Sequence, residues 1–376
     1  LERERLREKS LCWGFAKERE EVLARMDCSE KLSALELELV ERLQVAFPLS
    51  LRPYGELAEV LNASEEAIFQ TVLNLRRKSI LRRISAVIEA KRLGFSSALI
   101  GAKVRPEYIE AAAQWINRHP GVSHNYQRQG HFNLWFTLLT PPGGRLGFDE
   151  TVKILLDRPE ITTFGVFFAL KTFKLNLHLP APAAFYPTAW SSAQSGGEAE
   201  RESLSLPAND LSPKDKALIE ALQRDLPDGL RPLGVLVDRL GLTFDDFIAA
   251  TARLREMGIL RRYAGSFGHQ RLGYRAGLMV AWQAAPDQVD SSGRLFAGYA
   301  AVSHCYLRTT HMDWPFGLYT MIHGRTATDC QATLDDMRRR SKLDCRHTLS
   351  SVREFKKTRV ELFSTAFQAW EAEFSG

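Results

Sequence analysis

The sequence has no apolar run long enough to cross a bilayer and no signal-peptide pattern at its start, which predicts a cytoplasmic chain with no membrane partner. Cysteine is scarce. The five residues, at 12, 28, 305, 330 and 345, form no Cys-x-x-Cys pair and show no zinc-ligand spacing. An odd count without a secretory signal predicts reduced thiols rather than a disulfide framework. A G-x-G-x-x-G loop, a Walker loop, an H-E-x-x-H helix and a c-type haem attachment motif are all missing. Charge of either sign is not in large excess: 50 Lys and Arg against 45 Asp and Glu leave a net +5. That balance suits an acidic partner, nucleic acid or a polycarboxylate, without choosing between them.

What the sequence does have is an internal repeat. "ILRRISAVIEAKRLGF" (80–95) aligns with "ILRRYAGSFGHQRLGY" (259–274) at an offset of 179. "GVSHNYQRQGH" (121–131) aligns with "AVSHCYLRTTH" (301–311) at an offset of 180, with six of eleven residues identical. "LRP" at 51–53 returns at 230–232. Three matches at nearly the same offset establish a tandem duplication. A Pro-, Ala-, Ser- and Gly-rich stretch (180–210) reads as the linker between the halves, and 1–30 as a charged helical extension.

Each half opens with helical patterns. In the first, Leu35, Leu39, Val40 and Leu43 form one apolar stripe, a short helix follows, and Ser64 is placed to cap a third. A strand after it completes a winged helix-turn-helix, expected over 31–90 and again over 211–269. The remainder of each half, 91–179 and 270–365, reads strand, helix, two hairpin strands, helix, strand. The fold class is therefore α+β: two winged helices, each followed by a ferredoxin-like βαββαβ domain, forming a pseudo-dimer, with 366–376 as a C-terminal tail. The third helix of each half opens on acidic residues, Glu65-Glu66 and Asp245-Asp246, which would repel a phosphate backbone where a reading helix needs attraction. No specific DNA binding is expected.

Alternate residues of a strand share a face, so His124, Tyr126 and Arg128 line one side of the first hairpin strand. On the second hairpin strand Phe132, Leu134, Phe136 and Leu138 form an apolar face for the domain's own helices, leaving Asn133, Trp135 and Thr137 on the other. His304, Tyr306, Arg308 and His311 repeat the pattern, with Trp314 close behind. Two such sheets closed on each other would enclose a cavity with aromatic walls and polar groups. A strand histidine is usually solvated or internally bonded. Retention of the same four residue types in two diverged copies nevertheless favours a site over decoration. The pairs Arg82-Arg83 and Arg261-Arg262 add cations on neighbouring strands, which a solvated edge would explain equally well.

These motifs carry a resemblance. "GVSHNYQRQGHFNLWFTL" resembles the signature of one subunit type of the sirohaem decarboxylases, an offshoot of the Lrp/AsnC regulator fold. "AVSHCYLRTTHMDWPFGLYTMIHGR" is similar to that of the partner type. The resemblance spans about 31–178 and 211–365 and implies a fused decarboxylase of haem d1 or alternative haem biosynthesis, taking two acetate side chains of sirohaem to methyls. It implies no added cofactor, since the iron belongs to the substrate, and related subunits or self-association as partners. Arg128, Arg308 and the paired arginines Arg82, Arg83, Arg261 and Arg262 would hold carboxylates. Tyr306, Asn133, Trp135 and Trp314 would line the macrocycle. Tyr126, His124, His131, His304 and His311 would supply catalysis, with His124 or His304 as an axial ligand to the substrate's iron. Gly317 stands where the pattern expects Asn, so His124 and His131 are expected to outweigh His304 and His311. An Lrp/AsnC-type regulator and a haem-sensing binding protein are the rival readings.

Overall fold

The computed structural model describes residues 32–175, 211–343 and 346–374; the expected extension and linker lie outside them. Helices α1 (Ala34–Val45), α2 (Pro53–Leu61) and α3 (Glu65–Arg77) precede strand β1 (Leu81–Ile88). The second half repeats them as α6 (Pro213–Gln223), α7 (Pro232–Leu240), α8 (Phe244–Glu256) and β6 (Leu260–Phe267). The caps are local chemistry. Ser33 with Glu36, and Ser212 with Asp215, close reciprocal capping boxes on α1 and α6. Ser64 accepts the Ala67 N–H at the head of α3. Leu39, Val40 and Leu43 of the α1 stripe are fully buried.

The two wings do not stand apart. Strands β1 and β6 pair antiparallel with each other, Ser85 opposite Ala264, in a two-stranded ribbon that joins the halves. Helix α3 is tied to the second half at both ends. Glu65 pairs with Arg52 and with Arg231, each at 2.8 Å, and Arg76 makes two bonds to Asp225. Lys78, just past the end of α3, pairs with Glu36 of α1.

The remainder of the first half is β2 (Ser96–Val104), α4 (Ile109–Asn117), β3 (Val122–Arg128), β4 (Leu134–Thr140), α5 (Phe148–Leu156) and β5 (Ile161–Leu175). The second half matches it with β7 (Ala276–Trp282), α9 (Pro286–Ala297), β8 (Val302–Arg308), β9 (Leu318–Gly324), α10 (Ala327–Ser341) and β10 (Arg346–Leu349). Both are βαββαβ units, and their strands join in the order β10-β7-β9-β8-β5-β2-β4-β3-β11. The joints are crossovers. The first part of β5 pairs with β2, and its continuation from Ala169 pairs with β8 of the other half. Strand β11 (Ser351–Lys357) leaves β10 after one residue and pairs with β3. Each half therefore lends its last strand to the other half's hairpin.

Two sequence boundaries are corrected here. The second domain does not remain within itself up to 365, because β11 belongs to the first half's sheet. Of the expected tail 366–376, the described residues up to 374 form a docked helix: α11 (Thr365–Phe374) packs on the first half, with Trp370 in that half's core and Glu371 accepting the Arg145 N–H. Phe367 and Trp370, three apart on one helical face, supply the apolar contact. Among the described residues no helix is long and apolar enough to cross a membrane.

Candidate active site

Alternation sorts the hairpins as expected, with one exception. Leu134, Phe136 and Leu138 pack on the first half's helices, whereas Phe132 turns the other way. It joins Trp135, Phe167, Trp314, Tyr319 and Leu349 in a cluster drawn from both halves, so the two sheets do face each other. Trp135 and Trp314 lie with ring centroids 5.3 Å apart, and each is 1% exposed. Their N–H groups are internally satisfied, on the Phe132 carbonyl and the Tyr319 hydroxyl, each at 2.8 Å. The expected aromatic walls are a filled aromatic layer.

Asn133 also serves the backbone. Its amide accepts the Val104 N–H at 2.8 Å and donates to the Val104 carbonyl at 2.7 Å, extending the β2–β4 ladder by one rung. Gly317 leaves the second half without that side-chain rung, although Arg308 N–H still bonds the Gly317 carbonyl just as Arg128 N–H bonds that of Asn133.

On the face shared with the aromatic layer the polar residues stack in two ladders. His124 and Tyr126 have centroids 6.2 Å apart, with the Arg128 guanidinium 5.0 Å over the phenol. His304, Tyr306 and Arg308 repeat this at 6.0 and 4.8 Å. Both arginines pin the strand crossovers. Arg128 donates to the Leu349 carbonyl (2.6 Å) and to Ser351 (3.0 Å), where β10 becomes β11, and Arg308 donates to the Phe167 carbonyl (2.9 Å) in β5. The Nε atom of each is buried and has no hydrogen-bond partner among the described residues. Burial pulls the Arg128 guanidinium down to about 10, with the neighbouring Tyr126 opposing.

The lent strands make the ladders unequal. Strand β11 sets Glu354 against Tyr126, whose hydroxyl donates to it at 3.2 Å, and sets Lys357 opposite His124. Strand β5 places Thr172 opposite Tyr306 and Leu175 opposite His304. Behind the ladders the pattern is again symmetric. Asn125 and Cys305 turn to the helix side, and Lys356 and Lys174 each cap a carbonyl at or just past a helix end, those of Asn117 and Tyr299.

The four repeated histidines separate into two groups, since a strand advances roughly 13 Å over four residues. At one end His124 and His304 lie close enough for the charge of one to depress the other. Each accepts from or donates to the preceding serine, Ser123 at 2.9 Å and Ser303 at 2.7 Å. Ser303 also bonds His323 Nε2 at 2.8 Å, and His323 packs against His269 at 5.3 Å. Burial, with the neighbouring cations and histidines adding to it, holds His304 and His323 at about 3 and His269 at about 4. His304 nevertheless retains accessible surface, so it is not sealed in a packed core. At the opposite end His131 and His311 flank Phe132, at 4.8 and 6.2 Å, beside Trp314.

Three histidines close to these clusters carried no sequence signal. His269 lies inside the aligned run 259–274, and His323 is in the quoted "MIHGR" stretch, but neither position is histidine in the other half. His347 stands on β10 against Trp314 and Phe316, with a buried Nε2 that has no hydrogen-bond partner among the described residues. Gly130, at φ +134°, admits it: a Cβ there would come within 2.5 Å of that nitrogen. Of the wing arginines, Arg261 reaches Glu89 at 3.4 Å and its charge is felt by Tyr306, whose phenol burial raises to about 12. Arg82 and Arg83 line a separate cavity with Arg359, whose guanidinium also feels Arg262.

Comparison with known proteins agrees with this architecture. The family model for the AsnC-like ligand binding domain matches residues 92–174 and 271–356, and that for the siroheme decarboxylase NirDL-like HTH domain matches 36–82 and 215–261. A siroheme decarboxylase of Hydrogenobacter thermophilus is 30% identical over 338 residues, covering 89% of this chain and 97% of its own. The crystal structure of a siroheme decarboxylase NirDL is 28% identical with a TM-score of 0.70, covering 90% of this chain and 97% of that one. A second, in co-complex with an iron-uroporphyrin III analogue, gives 0.69 at 28% identity, covering 90% of this chain and 98% of that one. The sequence repeat, the paired βαββαβ sheets and these matches together make the chain a member of the siroheme decarboxylase family, with both halves of the enzyme in one polypeptide.

Proposed function

We propose that this chain is a sirohaem decarboxylase that converts two acetate side chains of sirohaem to methyls, giving didecarboxysirohaem for haem d1 or alternative haem biosynthesis. The observation that carries the reading is that His124 and His304, one from each half, lie within reach of each other's charge at the same end of two Tyr-Arg ladders. In each step the bond between the acetate methylene and its carboxylate breaks and carbon dioxide leaves. The electron pair stays on the methylene carbon, conjugated with the ring, and a proton completes the methyl. No oxidant and no added cofactor enters this balance.

The local electrostatics give the histidines a conditional role. Burial keeps His304 neutral near pH 7, and a neutral imidazole is the form that ligates iron. The substrate's own carboxylates would raise such a histidine back towards the range of a proton donor. The unpartnered Nε–H groups of Arg128 and Arg308 point to further acceptors that the protein alone does not supply. Anaerobic incubation of the purified protein with sirohaem tests the assignment. Mass spectrometry should find the tetrapyrrole lighter by two molecules of carbon dioxide; an unchanged mass with tight binding would leave a haem sensor instead.

The regulator reading makes a separate demand. A reading helix must reach the major groove, yet α3 begins on Glu65 held by Arg231 and ends on Arg76 held by Asp225. We expect weak, salt-sensitive DNA binding without sequence preference. A protected footprint at physiological salt would put the regulator first.

A further inference from the structure

The segment after β11 carries a guanidinium to a place the paired histidines do not use. Thr358 donates its N–H to the Ser123 carbonyl at 2.8 Å, so the lent strand is still on the first half's sheet as it reaches Arg359. There Arg359 Nη1 donates to Ser85 Oγ at 2.7 Å and to the Ala86 carbonyl at 2.9 Å, both in the wing strand β1. Beside it opens a cavity of about 310 Å³ lined by Arg82, Arg83, Arg224 and Arg359, with Asp225 and Glu361. Asp225 is already held by Arg76. Among the described residues none of the four arginines has an ion-pair partner.

Like charges gathered around one space repel, the more so where water is partly excluded. Arg359 registers this: burial, with the Arg83 and Arg262 charges adding to it, brings its guanidinium down to about 10. An anion in the cavity would relieve the repulsion and satisfy the open guanidinium edges. The cavity is also linked to the histidine end of the ladders. Two residues before Arg359, Lys357 sits opposite His124, and His269 feels both Lys357 and Arg82.

We propose that this cavity is a carboxylate subsite that takes one acidic arm of the tetrapyrrole, with Arg359 and Arg83 as donors and Lys357 at its entrance. The inference rests on the sirohaem reading. Its volume is at the small end for ligand sites, suited to a carboxylate-bearing arm and not to the macrocycle. The planar guanidinium fork matches a carboxylate bidentately, which a lysine cannot do. Arg359 reaches the first half's wing only because β11 crosses over, so the subsite exists only with the two halves assembled. Anchoring one arm there would fix which other arms reach the histidines.

The test is an absorbance titration of sirohaem into the full-length chain, read beside turnover. Arg359→Gln is expected to raise the Kd about tenfold, a change of roughly 1.4 kcal/mol, and to lower kcat/KM by a similar factor. Arg359→Lys should fall between it and the parent. Because Arg359 also ties β11 to β1, Arg83→Gln repeats the test at a residue whose side chain makes no hydrogen bond to described groups, and melting is followed for both. Unchanged Kd in both variants overturns the subsite even if the parent decarboxylates sirohaem. A parent that binds sirohaem but does not decarboxylate it sinks the functional reading and leaves the subsite to the titration. A parent that does not bind it overturns both.

Discussion

Alanine at His304 is expected to lower the rate of sirohaem decarboxylation by about 10²–10⁴, the usual cost of losing a positioned proton donor. The melting temperature should barely move. His304 contributes one hydrogen bond, to Ser303, and that hydroxyl keeps His323 as a partner when the imidazole is gone. His124→Ala should produce a loss of the same order, because the two rings lie at the same end of the ladders. Two readouts separate their roles. A lost proton donor slows turnover and leaves the bound iron's spectrum alone, whereas a lost axial ligand shifts the spectrum of bound sirohaem. The sequence ranking of His124 and His131 over His304 and His311 rested on Gly317 in place of Asn. Asn133 directs its amide to the Val104 backbone, so Gly317 deprives the second half of a ladder rung rather than of a group facing the histidines. That ground for favouring the first half therefore falls away. Parent rates and parent spectra in both His124→Ala and His304→Ala would mean that this end of the ladders is not where the chemistry happens.

How much of this was legible depended on whether the information was local. The constant offset announced the duplication, and the apolar stripe of α1 and the Ser64 cap announced the first winged helix, because periodicity and capping are written in adjacent residues. Strand alternation likewise placed His124, Tyr126 and Arg128 on one face with Trp135. The crossovers were not legible. Strand β5 reads as one strand, and nothing in "FFALKTFKL" says that its second part pairs with a strand more than 130 residues away. Everything that depends on those crossovers was hidden with them: Glu354 and Lys357 beside the first ladder, Arg359 at the wing, and the carbonyls that hold Arg128 and Arg308. The histidines at 269 and 323 lacked a signal of another kind, since a duplication draws attention to what both halves keep.

The tryptophans invite an experiment in which two readings predict opposite results. By motif, Trp135 and Trp314 would offer flat surfaces to the macrocycle. In the structure each is buried between the sheets, and Trp314 touches residues of both halves: Trp135 at 5.3 Å, Phe132 at 5.8 Å, and Phe316 and His347 each at 4.9 Å. Truncating such a side chain removes its buried area and leaves a cavity, at a cost of about 3–5 kcal/mol. It also leaves the Tyr319 hydroxyl without its indole donor. Trp314→Ala should therefore lower the melting temperature of the substrate-free protein on the order of 5–10 °C. The aromatic cluster also joins the two sheets, so its loss should loosen the halves and weaken sirohaem binding as a consequence. Trp314→Phe keeps an aromatic ring and gives up only the hydrogen bond and part of the area, so it should recover most of the stability. The opposite pattern is equally readable. If Trp314→Ala melts within about 1 °C of the parent while its sirohaem Kd rises strongly, the indole belongs to the binding surface, and the aromatic layer does not hold the two sheets together.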